Sequence, residues 1–301
     1  MDSRSFLYTL AAAVPIIAAG LIVWWHQHAP RPILAAPANI ALIVIRPSSA
    51  EALQNIFTSQ DYAWPPQDAV PPYAITSLPY GLGTLDNEAK KTVFFRALLP
   101  IVLAENQRIL SQRTFLLEQF GRGAINRDSD AGRGLGEIAA RYRVDGDLNA
   151  PRVRDLLLRR VDMVPVALVL AQAAQESGWG TSRFALEANN LFGIWTWDED
   201  AGAAPLRRRS EASHFVRIYP DVRSSVRAYL HNINIGFAYR EFRTLRASLR
   251  AQGKPLDPLL LAGTLERYST AGELYVANIR TMIRSNDLGK LGNLSLATPR
   301  E

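Results

Sequence analysis

One acidic side chain stands where acid chemistry is possible. In residues 164–197 the apolar positions Val166, Val169 and Ala173 fall at i, i+3 and i+7, and Glu176 follows at i+10. All four share one face of a helix. Burial disfavours a carboxylate, and the end of a helix carries partial negative charge, so both effects raise the pKa of such an acid. A glutamic acid kept protonated near neutral pH is what a general acid needs to protonate a glycosidic leaving oxygen. The plain alternative is a solvated helix terminus, and periodicity alone leaves the two readings level. Gly178 and Gly180 would let a substrate approach closely. Trp179, Trp195 and Trp197 offer faces for sugar rings or, equally, for a core.

The elements that must position this acid are mostly helical. Pro165 suits the first position of a helix ending at Ser177, and Gly178 suits the residue just past its end. Upstream, Phe94, Phe95, Leu98, Leu99, Ile109, Leu116 and Leu117 repeat at helical spacing to Phe120, with Pro100 expected to break or kink the run into two helices. Residues 121–136 read as a Gly- and Asp-rich loop. Its Gly132-x-Gly134-x-Gly136 is no dinucleotide fingerprint, because the spacing is wrong and no strand precedes it. Short helices are expected near 137–142 and 151–161, and residues 190–220 read as a loop with a small hairpin. Asp221 and Asp257-Pro258 open later helices, and a last one holds Tyr275, Ile279, Met282 and Ile283.

Here the chain resembles a known family. Gln175-Glu176-Ser177-Gly178-Trp179-Gly180-Thr181-Ser182, followed by Asn189-Asn190-Leu191-Phe192-Gly193, is similar to the signature of bacterial peptidoglycan glucosaminidases. These are endo-β-N-acetylglucosaminidases of glycoside hydrolase family 73, which include flagellar and autolysin types. Residues 91–117 and the Arg-Ala-Tyr-Leu-His-Asn segment at 227–232 resemble the Bax-like subgroup. The resemblance implies a lysozyme-like helical lobe with a small β-hairpin lobe, and Glu176 as the catalytic acid. It also implies substrate contacts from Trp179, Asn190, Phe192, Gly193, Trp195 and Tyr268. Many relatives carry a second acid in a Glu-Tyr segment of the β-lobe, which is missing here. Glu211 and Asp198 are the candidates for that role; the alternative is participation by the substrate's own N-acetyl group. A lytic transglycosylase or muramidase using the same glutamate, or a wall-binding protein without turnover, are the other readings.

The rest of the chain bears on compartment. Residues 6–25 contain no charged side chain and end in Trp24-Trp25, as a membrane-spanning signal anchor does. With Arg4 on the inner side, the remainder would lie in the periplasm, anchored to the inner membrane. Residues 40–45 (IALIVI) read as a short buried strand, and 31–87, rich in proline, as an irregular linker with at most one helix near 49–58. The expected organisation is an anchor (1–30), that linker, a helical extension (88–150), a catalytic region (151–292) and a tail (293–301). The 301 residues include no cysteine, which excludes disulfide scaffolds, cysteine nucleophiles and iron–sulfur clusters. His26-x-His28 has no third ligand nearby, and no cofactor or metal is expected. A net charge of +6 favours an anionic partner. No nucleic-acid signature accompanies it, and Arg207-Arg208-Arg209 reads as a solvated loop.

Overall fold

The computed structural model describes residues 40–67, 69–204 and 215–298. The proposed anchor, His26-x-His28, Arg207–Arg209 and Glu211 lie outside them. Among the described residues no helix is long and apolar enough to cross a membrane.

The protein is mainly helical. The longest helix, α2 (Asn87–Gly121), follows α1 (Ala50–Ser59) and is capped by Asp86, whose Oδ1 accepts the amides of Glu88 and Ala89 at 3.0 and 2.9 Å. It runs unbroken through Pro100. An interior proline costs about 3 kcal/mol, but here every residue from Ala97 to Asn106 is buried. That burial outweighs the lost hydrogen bond, so two helices are one.

Next come α3 (Asp130–Arg141), α4 (Pro151–Arg160), α5 (Val166–Ser177) and the short α6 (Arg183–Glu187). Helix α3 occupies part of the expected glycine loop. Ser129 caps it by accepting the amide of Gly132 at 3.0 Å. Any Cβ at Gly132 would lie 2.0 Å from the Asn126 carbonyl oxygen, so close packing explains this glycine. The Leu135–Ile138 spacing carried the helical signal that the glycines masked.

The small sheet has order β3-β5-β4, formed by β3 (Trp195–Thr196), β4 (Gly202–Ala203) and β5 (Phe215–Arg217), all antiparallel. The chain then forms α7 (Val222–Ile235), α8 (Arg240–Ala251), α9 (Pro258–Ala262) and α10 (Glu273–Ser285). Asp221 and Asp257 cap α7 and α9 as expected, accepting amides of Ser224 at 2.6 Å and Leu259 at 2.7 Å.

The proline-rich stretch has its helix where expected, yet it is not a loose linker. Leu53, Phe57 and Tyr62 are buried in the common core, and Trp64 stacks on Phe95 at 5.1 Å. Prolines obscured apolar positions that α2 covers. The IALIVI strand exists as β1 (Ile43–Ile45), paired in parallel with β2 (Tyr73–Ile75). It is not buried: Ile43 and Val44 are 44% and 53% exposed, while Ala74 and Ile75 of its partner β2 face the core.

Helix α5 lies in the middle, packed against α2, α10 and the 3-10 turn at Leu288–Asn293. Its approach is fixed by Asn106 of α2. That side chain donates to the Val164 carbonyl at 2.7 Å and accepts the Val164 amide at 3.1 Å. Arg246, fully buried, donates to the carbonyls of Arg159, Asp162 and Met163 just upstream.

Helix α7 is tied to α2 by Glu105. Burial alone would push this carboxyl up, but hydrogen bonds from Arg227 and Arg223 and the Arg108 charge hold it at about 2. Its pKa in the fold lies below the ordinary value, so the stabilisation is present above that value and is lost as pH falls through about 2. Replacing Glu105 with Ala leaves three guanidiniums without their carboxylate and should cost about 3 kcal/mol in urea unfolding at pH 7.

Candidate active site

Glu176 sits in the last turn of α5, half-buried. From Val166 to Ala174 every residue of this helix is buried, so the acid emerges from the core rather than from a solvated face. Gly178 ends the helix with φ 57° and ψ 47°, and the Trp179 amide donates to the Ala174 carbonyl at 2.9 Å. Pro165 caps the other end, one residue outside its expected place, because its carbonyl accepts the Leu168 amide.

Three side chains behind Glu176 form a hydrogen-bonded chain. Tyr229 of α7 donates to Gln172 Oε1 at 2.5 Å, and Gln172 Nε2 donates to the Tyr275 hydroxyl at 2.8 Å. The Tyr275 hydroxyl lies beside the Glu176 carboxyl and acts to lower its pKa. With its oxygen accepting from Gln172, the Tyr275 proton is left for Glu176. Two opposed effects act on the acid. Burial pushes the carboxyl above its ordinary range, the Tyr275 hydroxyl pulls it down, and burial wins. Burial, and then the nearby Glu176 charge, raise the Tyr275 phenol strongly, so it stays a donor.

The wall of the site is aromatic. Tyr268 stacks on Tyr275 at 5.3 Å, Phe192 stacks on Tyr229 at 4.1 Å, and Tyr239 lies 6.0 Å from Tyr268. The Tyr268 hydroxyl donates to the Phe192 carbonyl at 2.9 Å, fastening the 190–194 turn to the helices. Gly193 faces the acid: a Cβ at this residue would stand 3.7 Å from Glu176 Oε2, and its φ of +63° favours glycine.

The sequence-selected residues separate into two groups. Phe192, Gly193 and Tyr268 gather around Glu176. Asn190 is nearby but wholly engaged, its amide donating to Ile194 and Arg217 carbonyls and accepting the Ile194 and Phe192 amides. It builds the turn that presents Gly193. Trp195 lies on β3, 46% exposed, with Trp197 beyond it at 77%. The Trp179 ring packs edge-on against Phe94 and Phe95, under Lys91. Gly180 has a packing reason, since a Cβ would lie 2.7 Å from Leu78 Cδ1; it faces the core, not a ligand. Asp198 accepts the amide of Asp200 within its own turn at 3.1 Å.

Gln172, Tyr229 and Tyr275 were missed as site residues. Gln172 stands four residues before Glu176, one turn down the same helix. The two tyrosines occupy apolar stripe positions, and a buried phenol needs a hydrogen-bond partner.

A half-buried, raised carboxyl beside Gly193 and a cluster of aromatic rings defines a candidate glycosidase, and the comparisons agree. The family model described as mannosyl-glycoprotein endo-beta-N-acetylglucosaminidase matches residues 155–288. The chain is 33% identical over 198 residues to Protein bax of Escherichia coli (strain K12), covering 65% of this chain and 70% of that one. No solved structure matches. The chain belongs to the glucosaminidase family, with Bax-like relatives, and is a glycoside hydrolase of the endo-β-N-acetylglucosaminidase type. That membership implies peptidoglycan as the substrate in the broad sense.

Tyr275→Phe removes the hydroxyl that favours ionised Glu176. The alkaline limb of the pH–rate profile should move to higher pH, since the carboxyl rises further. Looser positioning of the acid should lower kcat by about 10-fold. An unchanged limb would mean that Tyr275 does not act on the acid.

Proposed function

We propose that the protein cleaves the β-1,4 bond on the N-acetylglucosamine side of peptidoglycan glycan strands, with Glu176 as the general acid. The observation that carries this reading is a half-buried carboxyl, raised by desolvation, beside a glycine that keeps the facing wall open. The protonated acid gives its proton to the glycosidic oxygen as the bond to the anomeric carbon breaks. Water then adds at that carbon and yields a free reducing end. The helical body and small sheet act as the two lobes of a lysozyme-like groove. Trp195 and Trp197 stack on sugars, and Tyr268 and Phe192 shape the wall.

Engagement of Asp198 in its own turn favours a mechanism with no second carboxylate from that residue. The substrate's acetamido oxygen takes its place behind the anomeric carbon. Glu211 is the other candidate for a second acid. We further propose that residues 6–25 anchor the chain in the inner membrane, with the catalytic region in the periplasm.

Purified full-length protein on isolated sacculi tests the assignment. Glu176→Gln should lower fragment release by about 10²–10⁴-fold while sacculus binding persists. Full release by this variant would remove Glu176 from the reaction. Mass spectrometry should find reducing N-acetylglucosamine ends; anhydro-muramic ends would assign a transglycosylase instead. Activity should fall as pH rises through the raised pKa, because the acid loses its proton. The same variant gives a stability signature. The folded pKa lies above the unfolded one, so the ionised carboxyl is penalised only at higher pH. Glu176→Gln should therefore raise Tm at pH 7 and leave it unchanged well below the unfolded carboxyl pKa.

A further inference from the structure

Between α4 and α8 lies a cleft of about 470 Å³ that the hydrolytic reading does not use. Leu156, Ile235 and Phe237 give it an apolar lining, and Arg159, Arg160, Arg240 and Arg243 surround it. Phe237 is 74% exposed, and the Arg240 guanidinium lies over its ring at 5.2 Å.

The cationic side is scarcely neutralised. Among these four, Arg159 alone has a carboxylate partner in contact, Asp155 at 2.8 Å. Arg243 donates to the carbonyls of Ile233 and Gly236, and Arg160 to those of Tyr142 and Arg143, while the buried Arg160 Nε has no partner. The charges act on one another. Burial, then the like charges of Arg160 and Arg240, pull Arg243 down to about 10. Burial and Arg143 also lower Arg160, with Asp145 opposing them from a distance.

We propose that this face docks on an anionic lipid bilayer, with Phe237 and Leu156 at the level of the headgroups and the accessible Arg240, Arg159 and Arg160 on lipid phosphates, the buried Arg243 adding its charge from behind. An exposed aromatic ring beside guanidiniums that mostly lack carboxylate partners is the chemistry of interfacial binding. The start of the described chain agrees. The Ile40 carbonyl accepts a hydrogen bond from Arg223, near the beginning of α7, while Ile235 and Phe237 lie at its other end. That helix is about 20 Å long. The residues between the proposed anchor and Ile40 could extend over about 45 Å, so an anchored chain can lay this face on the membrane. The face also borders the active site, because Tyr239, two residues beyond Phe237, packs against Tyr268. Docking would present the groove close to the bilayer. The proposal is independent of which glycosidic bond is cut.

The absence of cysteine allows one reporter to be placed without background. Thr244→Cys, at the lining of the cleft, carries an environment-sensitive fluorophore; Tyr80→Cys, 67% exposed in the segment next to α1, is the control. Full-length protein is reconstituted with phosphatidylcholine vesicles, with or without phosphatidylglycerol. The expected result is a blue shift and protection from an aqueous quencher at 244 with phosphatidylglycerol only, lost at high salt, while 80 stays aqueous. Arg240→Glu should weaken the dependence on phosphatidylglycerol roughly fivefold or more, and Phe237→Ser should reduce the blue shift. Both variants should retain full activity on soluble glycan fragments, which separates this outcome from failure of the hydrolytic reading. No response at 244, or an equal response without the anionic lipid, overturns the proposal, as does a response to soluble anionic wall fragments alone.

Discussion

For the role proposed for it, Glu176 must be partly removed from water and still be reachable, and the placement of α5 answers to that constraint. A solvated helix end would leave Glu176 ionised at neutral pH, and full enclosure would hide it from any sugar. Helix α5 solves this by being buried along nearly its whole length and surfacing only in its last turn. The helix dipole adds to desolvation at that end. Gly193 keeps the facing wall low, and the Tyr229–Gln172–Tyr275 chain stops the carboxyl from turning away. Side chains from α5, α7 and α10 therefore meet behind one carboxyl.

Holding those helices in register falls largely to two buried carboxylates. Glu105 gathers Arg108, Arg223 and Arg227 between α2 and α7. Asp162, just before α5, meets Arg113 and Arg250, with Arg246 at the edge of contact. Such groups are costly to desolvate singly and rigid once satisfied. They explain why arginine is so frequent inside a molecule with so few buried acids. Much of the positive charge is structural, and only the part without carboxylate partners is available to a ligand.

The helices that carry the site could be read from the sequence because their signals are local. Asp221, Asp257 and Gly178 are terminal residues whose chemistry acts within a few positions, and the α5 stripe ends at the acid itself. What escaped reading was decided at long range. Pro100 and Gly132 are poor helix residues by propensity, and only tertiary packing around them reverses that. Gly180 looked like a place for a ligand because sequence cannot show that Leu78 and Phe94 press against it. Tyr229 and Tyr275 looked like core residues, and they are; their hydroxyls acquire a second role only when distant helices meet.

The proline-rich segment and the far end of the chain are joined through Val70. It bridges Leu296 in parallel, donating to the Ser295 carbonyl and accepting the Ala297 amide, both at 2.8 Å. The bridged residues are 226 positions apart, a separation whose closure entropy grows only logarithmically with length. The penalty falls on speed more than on stability. During synthesis Val70 leaves the ribosome long before Leu296 exists, so this strand position stays unpaired until the helices between them have emerged. The bridge thus works as a latch, holding the proline-rich segment to residues that follow the last helix.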